Sequence, residues 1–544
     1  MLTRIAGGRV IDPANNRDSV GDVWMRDGRI VDAPQGARAD ATYNAAGKIV
    51  MAGAIDIHSH IAGWNVNTAR LLLPEYHSAA AARPAETPLS KVGWTTQETG
   101  CLYAAMGFTT VVEPAVSPRH ALHAHLELAD IPIIDKATLA ILGNDDYLLG
   151  LLQAKESDAA VADYVAWTLE TSRSLGIKVV NAGGAAAFKE NVRAFSFDDV
   201  VPSYGVSSRT IVKSLQYAVN ALGVPHPLHV HCNNLGLAGN VETALTTIAA
   251  ADGLPLHLAH LQFYGYGKDG ERGFSSAAAP LAEAVNAARS VTIDVGQVMF
   301  GQTVTISSDV LRQFNARNQA KRRKWVILDG DANGVGVVPY NYRRNDFYNA
   351  VQWAVGLELY LLIEDPRRVF FTTDHPNGAP FTTYPEIFAL LMSRDLRAQW
   401  MADLPPAAMK VTTLSSIARE YSFTEIATMT RAAPAKLLGL TDRGHLNAGA
   451  VGDVAVYEDD ADRAKMFRAA ALVFKDGELV VRDGRVTNYR WGRALTVRPE
   501  RDRAIDRRMR AYYEDRYGLS DEFLKVPEHA LGRPEPFAVV ACVS

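Results

Sequence analysis

Gly53-Ala54-Ile55-Asp56-Ile57-His58-Ser59-His60 is an apolar run that ends in two histidines one residue apart. Strand side chains alternate with period two, so an extended run sends His58 and His60 to the same side. The layout recurs downstream. Thr109-Thr110-Val111-Val112, Ile177-Lys178-Val179-Val180, Leu228-His229-Val230-His231, Leu256-His257-Leu258, Val291-Thr292-Ile293-Asp294-Val295 and Phe370-Phe371-Thr372 are further short apolar runs separated by longer helical stretches. This alternation between residues 51 and 430 predicts an α/β chain with a TIM-like (β/α)8 barrel. The active site of such a barrel lies at the carboxyl ends of its strands, so the polar residues that close each run are the ones to examine.

Two imidazoles on one face can grip a metal ion, and other run ends offer matching groups. His231 closes its run and precedes Cys232-Asn233-Asn234, while His260 closes Leu256-His257-Leu258-Ala259-His260. His229 and His257 remain alternatives: His229 shares a face with His231, and strand alternation sets His257 opposite His260. Lys178 sits inside an apolar strand, where a free ammonium is costly to desolvate. It either snorkels to the barrel rim or loses its charge, and a neutral lysine amine can take up carbon dioxide to become a carbamate, an anionic bidentate metal ligand. Asp374 follows Val369-Phe370-Phe371-Thr372-Thr373 and precedes His375-Pro376. A carboxylate there can bind metal, take a proton from a nucleophilic water and pass it to a leaving nitrogen.

Outward from the barrel, residues 1–50 read as short strands with a hairpin signal at Asp27-Gly28. Residues 431–500 repeat that vocabulary, with Asp476-Gly477 between two apolar runs, so both ends are expected to build one sheet domain. Residues 501–544 begin as a mixed-charge helix, packed on the barrel or used as a subunit contact. With 544 residues, 48% hydrophobic and 21% charged, the chain is an ordinary globular protein rather than a disordered, collagenous or coiled-coil one. Its formal net charge of −4 excludes a general nucleic-acid or membrane coat. Three isolated cysteines, Cys101, Cys232 and Cys542, exclude a disulfide framework or an iron–sulfur site. The longest run free of charged residues, Ser214 to Val241, is broken by prolines and histidines, and the N-terminus has no leader pattern, so a cytoplasmic location is expected.

Taken together, the HxH pair, Lys178, His231, His260 and Asp374 stand in the order found in the amidohydrolase superfamily, which the chain resembles. Within its binuclear branch the chain is similar to the A-subunit family of formylmethanofuran dehydrogenases and formyltransferase/hydrolase complexes. The segments that carry the likeness are Gly53 to Gly63 with Val66-Asn67-Thr68, Gly176-Ile177-Lys178-Val179-Val180-Asn181, and His229-Val230-His231-Cys232-Asn233-Asn234-Leu235-Gly236. The resemblance implies a β-sandwich made from both chain ends beside the barrel. It also implies two zinc ions held by His58, His60, His231 and His260, a carboxylated bridging Lys178, and a catalytic, metal-binding Asp374. Cys232-Asn233 departs from the small and acidic residues of hydantoinases, which speaks against a ring-amide substrate.

The activity so implied is hydrolysis of the N-formyl group of formylmethanofuran, or a polyglutamylated analogue, to formate and the free amine, with other subunits of a one-carbon complex as partners. In the dehydrogenases the same chemistry runs toward condensation. A dihydropyrimidinase-like cyclic amidase and a catalytically silent scaffold are the alternatives. A basic segment, Arg312, Arg317, Lys321, Arg322, Arg323 and Lys324, contains no acidic residue and would suit a glutamate-rich carrier tail.

Overall fold

The computed structural model describes residues 1–72, 96–192, 195–307 and 336–543, with Ala316 and Asn318. The six basic residues between Arg312 and Lys324 lie outside the described residues.

Eight parallel strands form the barrel: β1 (Ala54–Asp56), β2 (Phe108–Val116), β3 (Asp135–Leu142), β4 (Gly176–Val180), β5 (Leu228–His231), β6 (Leu256–Leu258), β7 (Val291–Asp294) and β8 (Val369–Phe370). Each pairs in parallel with the next. The ring closes just past β8 and β1, where Ser59 bridges His375 and the His60 N–H donates to the His375 carbonyl at 2.9 Å. Seven of these strands coincide with the apolar runs of the sequence; β3 does not, because Asp135, Lys136 and Thr138 interrupt its apolar character.

Helices fill the connections, and local capping explains several of their starts. Ser157, Ser207 and Asp346 accept hydrogen bonds from first-turn backbone N–H groups of the helices Asp158–Ser172, Ser208–Ala221 and Phe347–Leu362. Ser208–Ala221 buries Ile211, Leu215, Ala218 and Val219 on one stripe, as a helix on a barrel must. Phe347–Leu362, between β7 and β8, is buried along nearly its whole length. Among the described residues, no helix is long and apolar enough to cross a membrane.

Strands from both chain ends join in one nine-stranded sheet. Two of its tight turns are those marked in the sequence: Met25 pairs with Ile30 around Asp27-Gly28, and Lys475 with Glu478 around Asp476-Gly477; a third, at Asp483-Gly484, joins Arg482 to Arg485. Asp27, Gly28, Asp476 and Gly477 all have positive φ, as the favoured two-residue turns require. Period-two alternation lets this sheet serve two cores. Val50, Ala52, Val454 and Val456 enter a core of its own, while Ile49, Met51, Ala455 and Tyr457 enter the barrel's core.

The boundary expected at residue 500 shifts. Ala494–Val497 pairs in parallel with β3, and Phe537–Val540 pairs with Ala494–Val497. Pairing between β3 and β4 starts only at Leu139, so the Lys136–Ala137 edge is open to Ala494 and Leu495. Residues 494–497 therefore extend the barrel sheet rather than the terminal one. The tail is part helix, Ala504–Tyr517, seated on the barrel through Ile505, Met509 and Tyr513, and part strand.

A buried ion cluster pins the terminal sheet to the barrel. Asp135, at the start of β3, lies 2.9 Å from both Lys475 Nζ and Arg443 Nη2, and Lys475 Nζ lies 2.8 Å from Asp453. Burial alone would lower the Lys475 pKa, but Asp135 and Asp453 outweigh it and hold the ammonium charged. Removing one member of a buried network leaves its partners charged and unpaired. Lys475→Met is therefore predicted to cost about 3–5 kcal/mol, read as a lower denaturation midpoint; an unchanged midpoint would show that the cluster does not hold the two parts together.

Candidate functional site

The carboxyl end of the barrel opens into a cavity of about 310 Å³. Its lining includes His60, Lys178, His231, His260 and Asp374, each at or just beyond the end of a strand, except Lys178, which projects from within β4. His58 lies beneath it, fully buried, with Nε2 at 3.0 Å from Asp374 Oδ1 and 3.4 Å from Lys178 Nζ. The His231 and His260 rings meet edge to face with centroids 4.7 Å apart, and those of His58 and His260 are 5.2 Å apart. All six residues expected from the sequence thus converge at one place.

Two carboxylates that the sequence reading passes over set the orientation of the HxH pair. His60 Nδ1 lies 3.1 Å from Glu113 Oε1, and His58 Nδ1 lies 3.0 Å from Asp294 Oδ2. Glu113, from β2, also accepts the N–H groups of Ile61, Ala62 and Ala115. Asp294, closing β7, accepts the His260 N–H at 2.6 Å and faces His257 Nε2 at 3.0 Å. Burial would raise both carboxyl pKa values, but the imidazoles and these hydrogen bonds outweigh it and hold both below the usual range. Both carboxylates therefore only accept, which places a proton on Nδ1 of each histidine and turns each Nε2 lone pair toward Asp374. A signal for Asp294 was available: like Asp374, it is a carboxylate that ends an apolar run. Glu113 likewise follows directly on the run Thr109–Val112, and the curvature of the barrel brings it to His60.

The same cluster corrects the reading of His257. Strand alternation predicts that it turns away from His260, yet the His257 ring faces Asp294 beside His58, and the His260 ring packs on His58 as well. The strand stops at Leu258, and His260 takes a left-handed backbone with φ of 35°, so alternation does not carry across. His229 lies in the barrel interior with Nε2 at 3.0 Å from His58 Nδ1 and Nδ1 at 3.1 Å from His226 Nε2.

The donor set suits a cation. Asp374 Oδ1 is buried and lies 3.0 and 3.3 Å from His58 Nε2 and His60 Nε2, yet makes no aligned hydrogen bond. His260 Nδ1 is likewise buried without a hydrogen bond. Burial would lower the His60 pKa, but Glu113 and Asp374 outweigh it and raise it to about 9, so the pocket calls for positive charge between Nε2 and Asp374. Burial also pushes the His260 pKa down, which favours the neutral imidazole. A second triad, His58, His229 and Asp294, is within metal-binding reach on the Nδ1 side of His58, but it is sealed from the cavity. Only the Nε2 side adjoins room for a substrate.

Residues 41–487 match the amidohydrolase family, and the chain belongs to that family. It is 52% identical to the A subunit of the formyltransferase/hydrolase complex Fhc of Methylorubrum extorquens, over 100% of both chains. It is 37% identical to protein FwdA of Methanocaldococcus jannaschii, over 95% of this chain and 97% of that one. The fold superposes with a TM-score of 0.94, at 51% identity over 100% of both chains, on a chain in the crystal structure of the formyltransferase/hydrolase complex (FhcABCD) from Methylorubrum extorquens in complex with methylofuran.

Because Glu113 and Asp294 fix the tautomers that aim Nε2 at Asp374, Glu113→Gln and Asp294→Asn are each predicted to weaken metal retention by about 10- to 100-fold. Competition with a chelator measures this, and retention equal to wild type would assign the two carboxylates a purely structural role.

Proposed function

We propose that the chain is the hydrolytic subunit of a multisubunit one-carbon complex and cleaves the N-formyl group of formylmethanofuran, or a polyglutamylated analogue, to formate and the free amine. The observation that carries this reading is the full-length 52% identity to the A subunit of Fhc. The convergence of imidazoles, Lys178 and Asp374 on one cavity supports it independently.

In this reading His58, His60, Lys178, His231, His260 and Asp374 hold two zinc ions. Imidazole-rich sites with room for a water suit zinc. Bound metal would polarise the formyl carbonyl and make a water acidic enough to attack at neutral pH. The remaining work falls to the chain. Burial pushes the Lys178 pKa down against the pull of Asp374, Asp294 and Glu113. Its neutral amine then forms a bond to the carbon of carbon dioxide and releases a proton, which yields an anionic carbamate suited to bridging two cations.

Asp374 is held ionised: burial would raise its pKa, but His260, His58 and His60 bring it well below the usual range. It takes the proton from the attacking water and delivers it to the departing nitrogen. Phe263, Leu235 and Ile141 give the cavity an apolar wall.

Formate release from formylmethanofuran by the complex, with metal content determined on the same sample, tests the reading. Wild type is expected to release formate with about two zinc ions per chain, as in two-metal sites, and Asp374→Asn to slow release by about 100- to 10,000-fold. Metal without formate release would turn the reading toward a cyclic amidase. Reconstitution of metal-stripped protein with zinc is expected to need bicarbonate in wild type, and Lys178→Arg is expected not to regain activity under any bicarbonate supply. Equal recovery with and without bicarbonate would contradict a carboxylated Lys178.

A further inference from the structure

The tail that extends the barrel sheet ends on an open edge. Phe537–Val540 pairs in parallel with Ala494–Val497, with Phe537 opposite Ala494 and Val539 opposite Thr496. The Ala494 N–H donates to the Pro536 carbonyl at 2.8 Å. Backbone groups along a strand alternate in the side they face, so residues 536, 538 and 540 face Ala494–Val497, while the N–H and C=O of Phe537 and Val539 face away. Among the described residues, no strand pairs with that outer side and no group bonds to those four backbone atoms. The edge lies beside the start of β3, at the amino end of the barrel strands and away from the cavity.

Soluble proteins blunt such edges with charge, proline or a bulge. The stretch from Phe537 to Val543 has no charged residue and no proline, and its register with Ala494–Val497 runs without a bulge. Val539 is 54% and Val543 68% exposed, whereas Val540 is buried in the barrel's core. The far end is tied as well, since the Val543 N–H donates to the Gly223 carbonyl at 2.7 Å. The strand is therefore a fixed template with one side unused. Arg173 lies over the Phe537 ring, 5.3 Å from its centroid, and shares a single carboxylate, Glu528, with Arg498, at 3.2 and 3.5 Å. Burial and the neighbouring Arg498 lower the Arg173 pKa, as expected where two guanidiniums crowd together. Positive charge is in excess beside the strand. It favours an incoming segment that carries a carboxylate, and it disfavours a second copy of this chain, which would bring another Arg173 and Arg498 to the same seam.

We infer that Phe537–Val543 is a docking edge, and that an extended apolar segment with an acidic flank, from another subunit of the complex, adds beside it as a further strand. In such strand addition the main-chain hydrogen bonds give the affinity and the side chains beside them give the selection. The inference rests on the subunit reading proposed above and not on the chemistry of the cavity.

Val539→Pro removes an outward N–H and spares every bond to Ala494–Val497, because proline is tolerated where the N–H does not serve the ladder. The full-length variant is expected to keep the wild-type denaturation midpoint and metal content, yet to bind its co-purifying subunits on the order of 10-fold more weakly. Native mass spectrometry of the complex across a dilution series measures this. Val539→Thr keeps the N–H and is expected to assemble as wild type does, while Arg498→Ala is expected to weaken assembly, and by less as salt is raised. Should Val539→Pro not accumulate as folded protein, hydrogen exchange on wild type decides: the Phe537 and Val539 amides are expected to exchange fast in the chain alone and slowly in the complex. Assembly of Val539→Pro at wild-type strength, indifference to Arg498→Ala, or fast exchange of both amides within the complex would overturn the inference while leaving the subunit reading standing. A homodimer of the chain alone that Val539→Pro breaks would overturn it in favour of a second copy. Wild type that co-purifies with no other subunit would overturn the subunit reading, and the inference with it.

Discussion

The closure of the barrel between the chain beyond β8 and the chain beyond β1 is the constraint on which the site depends. The His60 N–H reaches the His375 carbonyl, Ser59 bridges His375, and the Thr372 hydroxyl donates to the His58 carbonyl. These contacts join segments more than 300 residues apart in the chain, and they set Asp374 against the Nε2 atoms of both HxH histidines. Asp374 itself has φ of 52°, a left-handed backbone that turns the chain from the strand into the loop. Without this seam the histidines would still be a pair on one strand end, but Asp374 would not face their Nε2 atoms.

Burial then divides the two faces of His58. On the Nδ1 face, Asp294, His229 and His257 form a sealed cage in which an ionised carboxylate is held by imidazoles. On the Nε2 face, Asp374, His60 and Lys178 border open volume. The division assigns roles by physical chemistry: an accepting carboxylate behind an imidazole fixes its tautomer and raises its basicity as a ligand, whereas imidazole nitrogens and a carboxylate oxygen converging on one point attract positive charge. Beneath both faces, Asp56 accepts the Tyr103 and Tyr384 hydroxyls at 2.9 and 2.6 Å and the His58 N–H at 2.9 Å, which holds the HxH segment from below.

Much of this was legible in the sequence because it follows from strand ends. Apolar runs closed by His58, His60, His231 and Asp374 mark both the barrel and the position of the candidate site, and Asp-Gly pairs mark two of the tight turns of the terminal sheet. Long-range pairing and curvature were not legible. Asp135 and Lys136 disguise β3, because their partners, Lys475, Arg443 and the Gly492 carbonyl, come from more than 300 residues away. Glu113 closes its run as Asp374 does, but its partner His60 is evident only once β1 and β2 are adjacent. The place of His257 depends on where β6 stops, which periodicity alone does not fix.

We propose that metal binds on the Nε2 face of His58, as a pair of ions that a carboxylated Lys178 would help to hold. Zinc-edge anomalous diffraction from crystals of the metal-loaded complex tests it most directly. The account predicts two peaks about 3.5–4 Å apart, the usual spacing of two-metal sites, flanked by His60, His231, His260 and Asp374, with density for a carboxylate continuing from Lys178 Nζ. A single peak, or metal lodged among His229, Asp294 and the Nδ1 of His58, would contradict it.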